Sequence, residues 1–165
     1  MKNIFRLVLL AVVIAAGIWL WTVLFPGPEK VIRKRLATIA RDACSNPNQN
    51  PLVSVANAQK LASYFSTNVE AQIEVAGHGE YTLTGRDEIM QTAAGAYSAL
   101  NGIKVEFLDV TVTVGADKQS ASAALTLKVQ AAGDKEFIWQ EMKFALQKID
   151  GEWLITRLET VRTLT

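Results

Sequence analysis

This chain of 165 residues has one cysteine, Cys44, and one histidine, His78, and its 17 basic residues nearly balance its 16 acidic residues. A single cysteine excludes an internal disulfide, and the sequence has no Cys/His cluster with the spacing of a zinc site. A formal net charge of +1 provides no overall field that would attract a nucleic acid. We therefore expect no metal, no cofactor and no nucleic-acid partner.

Charge is also missing from one long segment near the N-terminus. The nineteen residues from Leu7 to Phe25 include no charged side chain and follow a short basic tail. As a helix this segment would span about 28 Å, close to the ~30 Å hydrocarbon thickness of a bilayer. Residues 1–25 are therefore predicted to form a transmembrane signal anchor that contacts the lipid bilayer through residues 7–25.

A cleaved signal peptide is the alternative interpretation of this segment. Such peptides end in small residues at the cleavage site, whereas bulky Trp19, Trp21, Phe25 and Pro26 occupy that region here. Indole and phenyl rings suit a membrane interface, which favours an uncleaved anchor.

Basic residues on the two sides of the apolar segment favour opposite orientations. Lys2 and Arg6 draw the N-terminus to the cytoplasm, while the cations within residues 30–35 would draw the other flank inward. These cations could instead contact anionic lipid headgroups, or simply form a solvated face of a helix. A short tail before an export-like segment most simply inserts as a signal anchor. We therefore expect a single-pass protein of the bacterial inner membrane with its domain on the periplasmic side.

Two amphipathic helices are predicted after a Pro-Gly-Pro hinge at residues 26–28. Apolar residues recur about every four positions from Ile32 to Ala43 and again from Val55 to Phe65. Asn50 followed by Pro51 provides a helix cap and a proline at the first helical position of the second helix.

A short hairpin and a third helix follow. Polar and apolar residues alternate from Val69 to Val75, and residues 80–84 form the returning strand. The run Thr84-Gly85-Arg86-Asp87 resembles a capping box with Asp in place of Glu, and it precedes a helix with one apolar face from Ile89 to Leu100.

The rest of the chain has the pattern of four long strands in a strongly curved antiparallel sheet. The Asp150-Gly151 pair between two alternating runs is a strong hairpin signal. In the first of these strands the apolar residues change from odd to even positions, which indicates a β-bulge near Leu108 and Asp109. The predicted strands are Ile103–Val114, Ser120–Ala131, Glu136–Ile149 and Glu152–Leu164.

Two sequence motifs add a resemblance to a known family. The stretch GEYTLTGRDEIM from Gly79 to Met90 and the hairpin FALQKIDGEWLITRLET from Phe144 to Thr160 are similar to segments of the SnoaL-like branch of the nuclear transport factor 2-like superfamily. The resemblance covers residues 29–165 and implies a cone-shaped α+β fold, with three helices in the N-terminal half packed on the curved sheet. That superfamily includes dehydratases, isomerases, cyclases and structural modules, so the fold alone does not choose a function.

Five side chains are candidates to line the pocket that this fold implies: Tyr64, Tyr97, Asp109, Trp139 and Glu141. The two tyrosines could offer hydroxyl groups to an oxyanion, as in the isomerase branch, but each also fits as a core aromatic residue. Asp109 would enter the pocket only if the bulge directs it there, and Glu141 also fits a solvated cross-strand ladder with Lys143. His78 lies between two glycines, where an exposed turn is expected. We assign no catalytic residue.

These observations favour a membrane-tethered, non-catalytic module that binds a small apolar ligand or a protein partner through the cone pocket or the curved sheet. The alternative is an acid-base lyase or isomerase of the SnoaL-like or ketosteroid-isomerase-like type, which requires the candidates to converge in one cavity. One membrane helix before this fold also resembles the inner-membrane assembly subunits of bacterial type IV secretion machines, which implies a membrane-protein partner. Exposed apolar residues on the sheet, such as Val110, Val112 and Val114, would join two copies as a homodimer.

Overall fold

The computed structural model of the chain describes residues 12, 14, 15, 27–75 and 79–161. Of the predicted anchor, only the helical Val12, Ile14 and Ala15 belong to this part, so the prediction of a transmembrane helix lies outside the described residues. Within them, no helix is long and apolar enough to cross a membrane. His78 and residues 162–165 also lie outside the described residues.

Between residues 27 and 161, the described part contains three helices and six strands in the order that the resemblance implies. The helices are α1 (Pro28–Asp42), α2 (Pro51–Ala62) and α3 (Arg86–Ala99). The strands are β1 (Phe65–Val75), β2 (Gly79–Thr84), β3 (Ile103–Val114), β4 (Ser120–Ala131), β5 (Ile138–Ile149) and β6 (Glu152–Thr160). The predicted four long strands are present, although β5 begins two residues later than the predicted Glu136 and β6 ends at Thr160, before the predicted Leu164.

The six strands form one sheet in the order β2-β1-β6-β5-β4-β3. All neighbours are antiparallel except β1 and β6, which pair in parallel, so the prediction of a wholly antiparallel sheet was wrong at this one junction. The chain path gives the reason. Helix α3 carries the chain from the end of β2 to the far edge strand β3, and three hairpins then bring β6 back beside β1 in the same direction.

Helix α1 packs its apolar stripe against one face of the sheet, as the four-residue periodicity predicted. The stripe is buried and belongs to a core shared with β1, β4, β5 and β6. We call the helix-covered side of the sheet its concave face and the other side its convex face. The buried residues of α1 are Ile32, Leu36, Ile39 and Ala40.

Helix α2 begins at the predicted cap and buries most of its predicted apolar face. The Asn50 side chain accepts a 2.9 Å hydrogen bond from the backbone N–H of Leu52, which confirms the cap. The buried positions are Ser54, Ala58 and Ala62, whereas Val55 is 54% exposed. The predicted apolar face is therefore confirmed at Ala58 and Ala62 and was wrong at Val55, and small residues occupy the positions where α2 packs closely against α3.

Helix α3 is capped one residue later than predicted. Gly85 is the N-cap with φ +87°, and it makes no side-chain cap. The carboxylate that reaches back is that of Glu88, which accepts a 2.6 Å hydrogen bond from the N–H of Thr84. The predicted role of Asp87 in a capping box was wrong, because the glycine cap moves the third helical position to Glu88.

The predicted bulge in β3 is confirmed. The pairing of β3 with β4 shifts between Leu108 and Thr111, and Asp109 has φ +51°. The bulge turns the following residues onto the concave face, where Val112 is 8% exposed. Val110 and Val114 pack against the same core. The expectation that these valines are exposed was therefore wrong, and a homodimer through the sheet stays a prediction.

Candidate functional site

The concave face of β5 is packed at one end and open at the other. Its inward-facing residues alternate along the strand, and Leu146 is 1% exposed and Met142 3% exposed. Ile138 faces the same side of the sheet four residues before Met142, and it is 65% exposed. Exposure therefore rises toward the start of β5, where the helices no longer cover the sheet.

The neighbouring strands show the same gradient. On β4, Ala123 is 0% exposed and Leu125 4%, whereas Leu127 and Val129 are half-buried. On β6, Ile155 is buried and Leu158 is half-buried. The register of β4 with β5 places Leu127 and Val129 beside Gln140 and Ile138, at one end of the concave face, and Leu158 lies beside Phe144 on the way to that end. We call this region the open end of the cone.

The open end of the cone is apolar. Its polar side chains on the described strands are Tyr81, Gln140 and Thr160, and none of its described concave positions carries an Asp, Glu, His, Lys or Arg side chain. The Thr160 hydroxyl accepts a 3.0 Å hydrogen bond from the N–H of Glu74. The half-buried apolar residues of this region are Ile73, Leu83, Met90, Leu127, Val129 and Leu158.

A separate polar cluster joins the end of α1 to α2, α3 and the start of β1. Asp42 Oδ2 accepts a 2.6 Å hydrogen bond from the Tyr64 hydroxyl and lies 3.0 Å from Lys60 Nζ. The Tyr97 hydroxyl donates toward the backbone carbonyls of Asp42 and Ala43, at 3.4 and 3.2 Å. These carbonyls end α1 and would otherwise lack partners, so the cluster closes the helix end.

The cluster changes the acidity of its members. Burial raises the pKa of the Asp42 carboxyl, but hydrogen bonds from Tyr64 and Lys60 outweigh burial and the net pKa is below its usual value. Burial, together with the hydrogen bond to Asp42, raises the pKa of Tyr64. Burial, with Cys44 and Asp42 nearby, raises the pKa of Tyr97 to about 12. Both tyrosines are therefore weaker acids than free tyrosine.

Two of the five predicted pocket residues, Tyr64 and Tyr97, meet in this cluster. Tyr64 also lies under the guanidinium of Arg35, 5.2 Å from the ring centroid. Their neighbours are helix ends and backbone carbonyls, which is the arrangement of structural core residues.

The other three predicted residues lie elsewhere. Asp109 is exposed at the bulge of β3. Trp139 and Glu141 alternate with the buried Met142 and lie on the convex face, exposed to solvent. The structure therefore does not bring the five residues into one cavity.

Trp139 takes part in a small aromatic cluster at the start of β5. Its ring and that of Phe137 lie 6.4 Å apart, and the ammonium group of Lys128 lies 4.3 Å from the Phe137 centroid and 5.3 Å from the Trp139 centroid. Lys128 also pairs with Glu106 at 3.2 Å. The convex face around Trp139 is thus a surface of paired charges.

Asp42 was missed by the sequence reasoning, although the sequence contains a signal for it. A carboxylate at the C-terminal end of a helix is repelled by the helix dipole, so its presence there indicates a compensating donor. The predicted C-terminal boundary of α1 was close enough to have raised this question. Within the described part of the chain, no group of three or more His, Cys, Asp or Glu side chains is placed to hold a metal ion.

Solved structures of low sequence identity share this fold. A candidate scytalone dehydratase from Novosphingobium aromaticivorans superposes with a TM-score of 0.63 at 14% identity, covering 82% of this chain and 83% of that chain. A nuclear transport factor 2-like protein of unknown function from Pseudomonas putida gives a TM-score of 0.61 at 12% identity, covering 83% and 87%. At these identities the similarity shows the fold alone.

A third structure is a nuclear transport factor 2-like protein from Novosphingobium aromaticivorans, with a TM-score of 0.57 at 20% identity over 78% of this chain and 79% of that chain. No curated protein matches the chain. Residues 48–159, from the loop before α2 to the end of β6, match the SnoaL-like domain family. The chain therefore belongs to the SnoaL-like domain family, on a nuclear transport factor 2-like fold.

Proposed function

We propose that this protein is a membrane-tethered, non-catalytic module that binds a small apolar ligand in the open end of the cone. The observation that carries the proposal is the chemistry of that region: half-buried Leu, Met, Val and Ile side chains, with no charged group on its described concave positions. Ligand pockets are mostly apolar, with a few polar groups that orient the ligand. Tyr81 and Gln140 are placed to do this.

Burial energetics support an occupant for this region. Leu127, Leu158 and Met90 are half-buried although they adjoin a tightly packed core. Complete burial of such a side chain stabilises by about 1.5–3 kcal/mol relative to full exposure. An apolar ligand that covers several of them would gain part of this free energy and would complete the core of the cone.

The ionisable groups near the helices support binding rather than acid-base chemistry. Asp42 is engaged by Tyr64 and Lys60, and a Tyr97 hydroxyl with a pKa of about 12 is a poor proton donor near neutral pH. No second function is favoured by a specific contact. The dehydratase name belongs to a structural relative of 14% identity and does not extend to this chain.

The tether rests on the sequence of the N-terminal segment. The nineteen uncharged residues that end at Phe25 match the thickness of a bilayer, and α1 begins three residues later at Pro28. The tether would thus keep the whole domain near the membrane. Apolar molecules that partition into the membrane are the ligand class that this position favours.

The test measures ligand retained by the full chain. We would purify it in detergent micelles, release it into the gas phase and record bound small molecules by native mass spectrometry. Leu127→Trp fills the open end from the concave face, whereas Thr126→Trp adds the same side chain to the convex face one residue away.

We expect the wild-type chain and Thr126→Trp to retain an apolar molecule of defined mass and Leu127→Trp to lose it. Equal retention by both variants would place the molecule elsewhere, for example on the N-terminal segment. Absence of any retained molecule from the wild type would contradict the proposal and would favour the protein-partner alternative. Circular dichroism of both variants would verify that they fold.

A further inference from the structure

The outward face of α1 carries a stripe of cations. Lys30, Lys34 and Arg41, with Ala37 between them, fall on one line of the helix at steps of three or four residues, and all four are exposed. This stripe lies on the side of α1 opposite the residues that it buries in the core, which are Ile32, Leu36, Ile39 and Ala40.

The other two basic residues of α1 are neutralised within the protein. Arg33 pairs with Glu29 at 3.0 Å and also donates to the Val110 carbonyl, while Arg35 pairs with Glu152. They project from other sides of α1, so the basic residues between Lys30 and Arg35 divide into an exposed pair and a neutralised pair. The exposed stripe gains Arg41, which the predicted cluster within residues 30–35 did not include.

Few carboxylates lie close to the cations of the stripe. Among the described residues, no carboxylate lies within ion-pair distance of Lys30 or Lys34. Arg41 is 73% exposed and lies 3.5 Å from Asp42, whose other carboxylate oxygen already binds Tyr64 and Lys60. The stripe is therefore a strip of one sign of charge on a chain whose total charge is only +1.

The position of α1 in the chain indicates what the stripe faces. The helix begins at Pro28, three residues after the apolar segment ends, so at most about 10 Å of extended chain separates the two. Gly27 has extended backbone angles, φ −54° and ψ 151°, so α1 begins at Pro28. These features allow α1 to lie beside a membrane surface.

We propose that the stripe of Lys30, Lys34 and Arg41 binds anionic lipid headgroups, so that α1 lies along the membrane with its opposite face in the core of the domain. The inference rests on the proposed membrane tether. Each basic residue near an anionic leaflet favours binding by about fivefold, so three residues correspond to a partition change on the order of 100-fold. An acidic protein surface would satisfy the same charge, but the nearby apolar segment favours lipid.

The test uses the full chain in vesicles of phosphatidylcholine, with or without phosphatidylglycerol. A nitroxide label at Ala37→Cys, in a Cys44→Ser background, reports contact of the stripe with the bilayer through its protection from a water-soluble nickel chelate. The stripe variant combines Lys30→Gln, Lys34→Gln and Arg41→Gln. The matched control removes equal charge at exposed positions on the strands, with Lys104→Gln, Lys143→Gln and Lys148→Gln.

We expect protection of the label only in vesicles that contain phosphatidylglycerol, its loss at high salt and in the stripe variant, and its retention in the control variant. Equal accessibility in both vesicle types, with the chain bound to both, would overturn the stripe proposal and leave the tether intact. Salt-sensitive binding to anionic vesicles alone, lost in the stripe variant, would support the stripe and contradict the tether. Failure to bind either vesicle would overturn both.

Discussion

The hydroxyl of Tyr64 donates a 2.6 Å hydrogen bond to Oδ2 of Asp42 and so joins the start of β1 to the end of α1. The side chain of Asp42 is only 10% exposed, and Lys60 is its other close partner. A hydrogen bond to a buried carboxylate contributes more to stability than a bond between neutral groups. The hydrogen bond between Tyr64 and Asp42 therefore stabilises the contact between β1 and α1.

Substitution of Tyr64 by phenylalanine removes this bond and keeps the ring. We expect Tyr64→Phe to lower the free energy of unfolding by about 1–2 kcal/mol, because Asp42 loses a donor that water replaces poorly at that site. Urea denaturation of the full chain measures the change. Tyr81→Phe, at a position 51% exposed, is the matched control and should cause little change. Equal effects of the two substitutions would contradict the structural role.

Acid should weaken the domain through Asp42. The folded pKa of this carboxyl is below its ordinary value of 3.8. Its contribution to stability is therefore complete above the unfolded pKa and is lost as pH falls through the folded pKa. We expect the stability advantage of the wild type over Asp42→Asn to be constant near neutral pH and to shrink below about pH 4. Unfolding free energies measured at a series of pH values test this, and an advantage that does not change with pH would contradict it.

Alkali should weaken the domain through Tyr97. The folded pKa of about 12 lies above the ordinary value of 10.0, so its contribution is complete below the unfolded pKa and is lost as pH rises from there through the folded pKa. The difference in unfolding free energy between the wild type and Tyr97→Phe should therefore fall between about pH 10 and pH 12. Ultraviolet absorbance of the tyrosinates gives an independent measure of the same ionisation. Ionisation of Tyr97 near its ordinary pKa of 10.0 would be the contrary result.

The backbone conformation of Asp109, at the bulge in β3, limits which residues can replace it. Asp109 has φ +51°, a left-handed conformation that glycine adopts freely and β-branched residues adopt poorly. We expect Asp109→Gly to change the unfolding free energy by less than about 1 kcal/mol and Asp109→Val to lower it by about 1–2 kcal/mol. Thr111→Val, on the same strand and also exposed, controls for the added methyl groups. A tolerated Asp109→Val would show that the bulge relaxes.

The membrane anchor can be tested without a structure. Two charges introduced by Ile14→Arg and Ile18→Arg would each cost about 2.5–3.5 kcal/mol at the centre of a spanning helix. We expect the wild-type chain to stay with the membrane pellet after an alkaline carbonate wash and the double variant to be released. The intact mass of the pelleted chain distinguishes an anchor from a cleaved signal peptide, since cleavage would remove the apolar segment.

Much of the fold follows from periodicity, because alternating and four-residue patterns report directly which side of a strand or helix is buried. The change of the apolar residues from odd to even positions at Leu108 also located the bulge of β3. The pairing of β1 with β6 could not be predicted in this way, because the two strands are far apart in the chain. No local pattern specifies which strand lies at the centre of a sheet.

The open end of the cone could not be predicted for a related reason. Leu127 and Val129 continue the alternation of Ala123 and Leu125 without interruption, although the first pair is half-buried and the second is buried. Hydrophobic patterning identifies the concave face but does not report where the helices stop covering it. Trp139 and Glu141 were candidates by residue type, although alternation along the strand already indicated a solvated face for Glu141, and the structure places both on the convex face.

The central position of β6 affects how the domain can form during synthesis. This strand is translated after every other described strand, yet it joins the β1-β2 hairpin on one side to the β3-β4-β5 meander on the other. Until it leaves the ribosome, the two half-sheets have no strand to connect them, and each exposes an edge to pairing with other chains. The domain is thus assembled late, and a ribosome that stalls before β6 would release an aggregation-prone product.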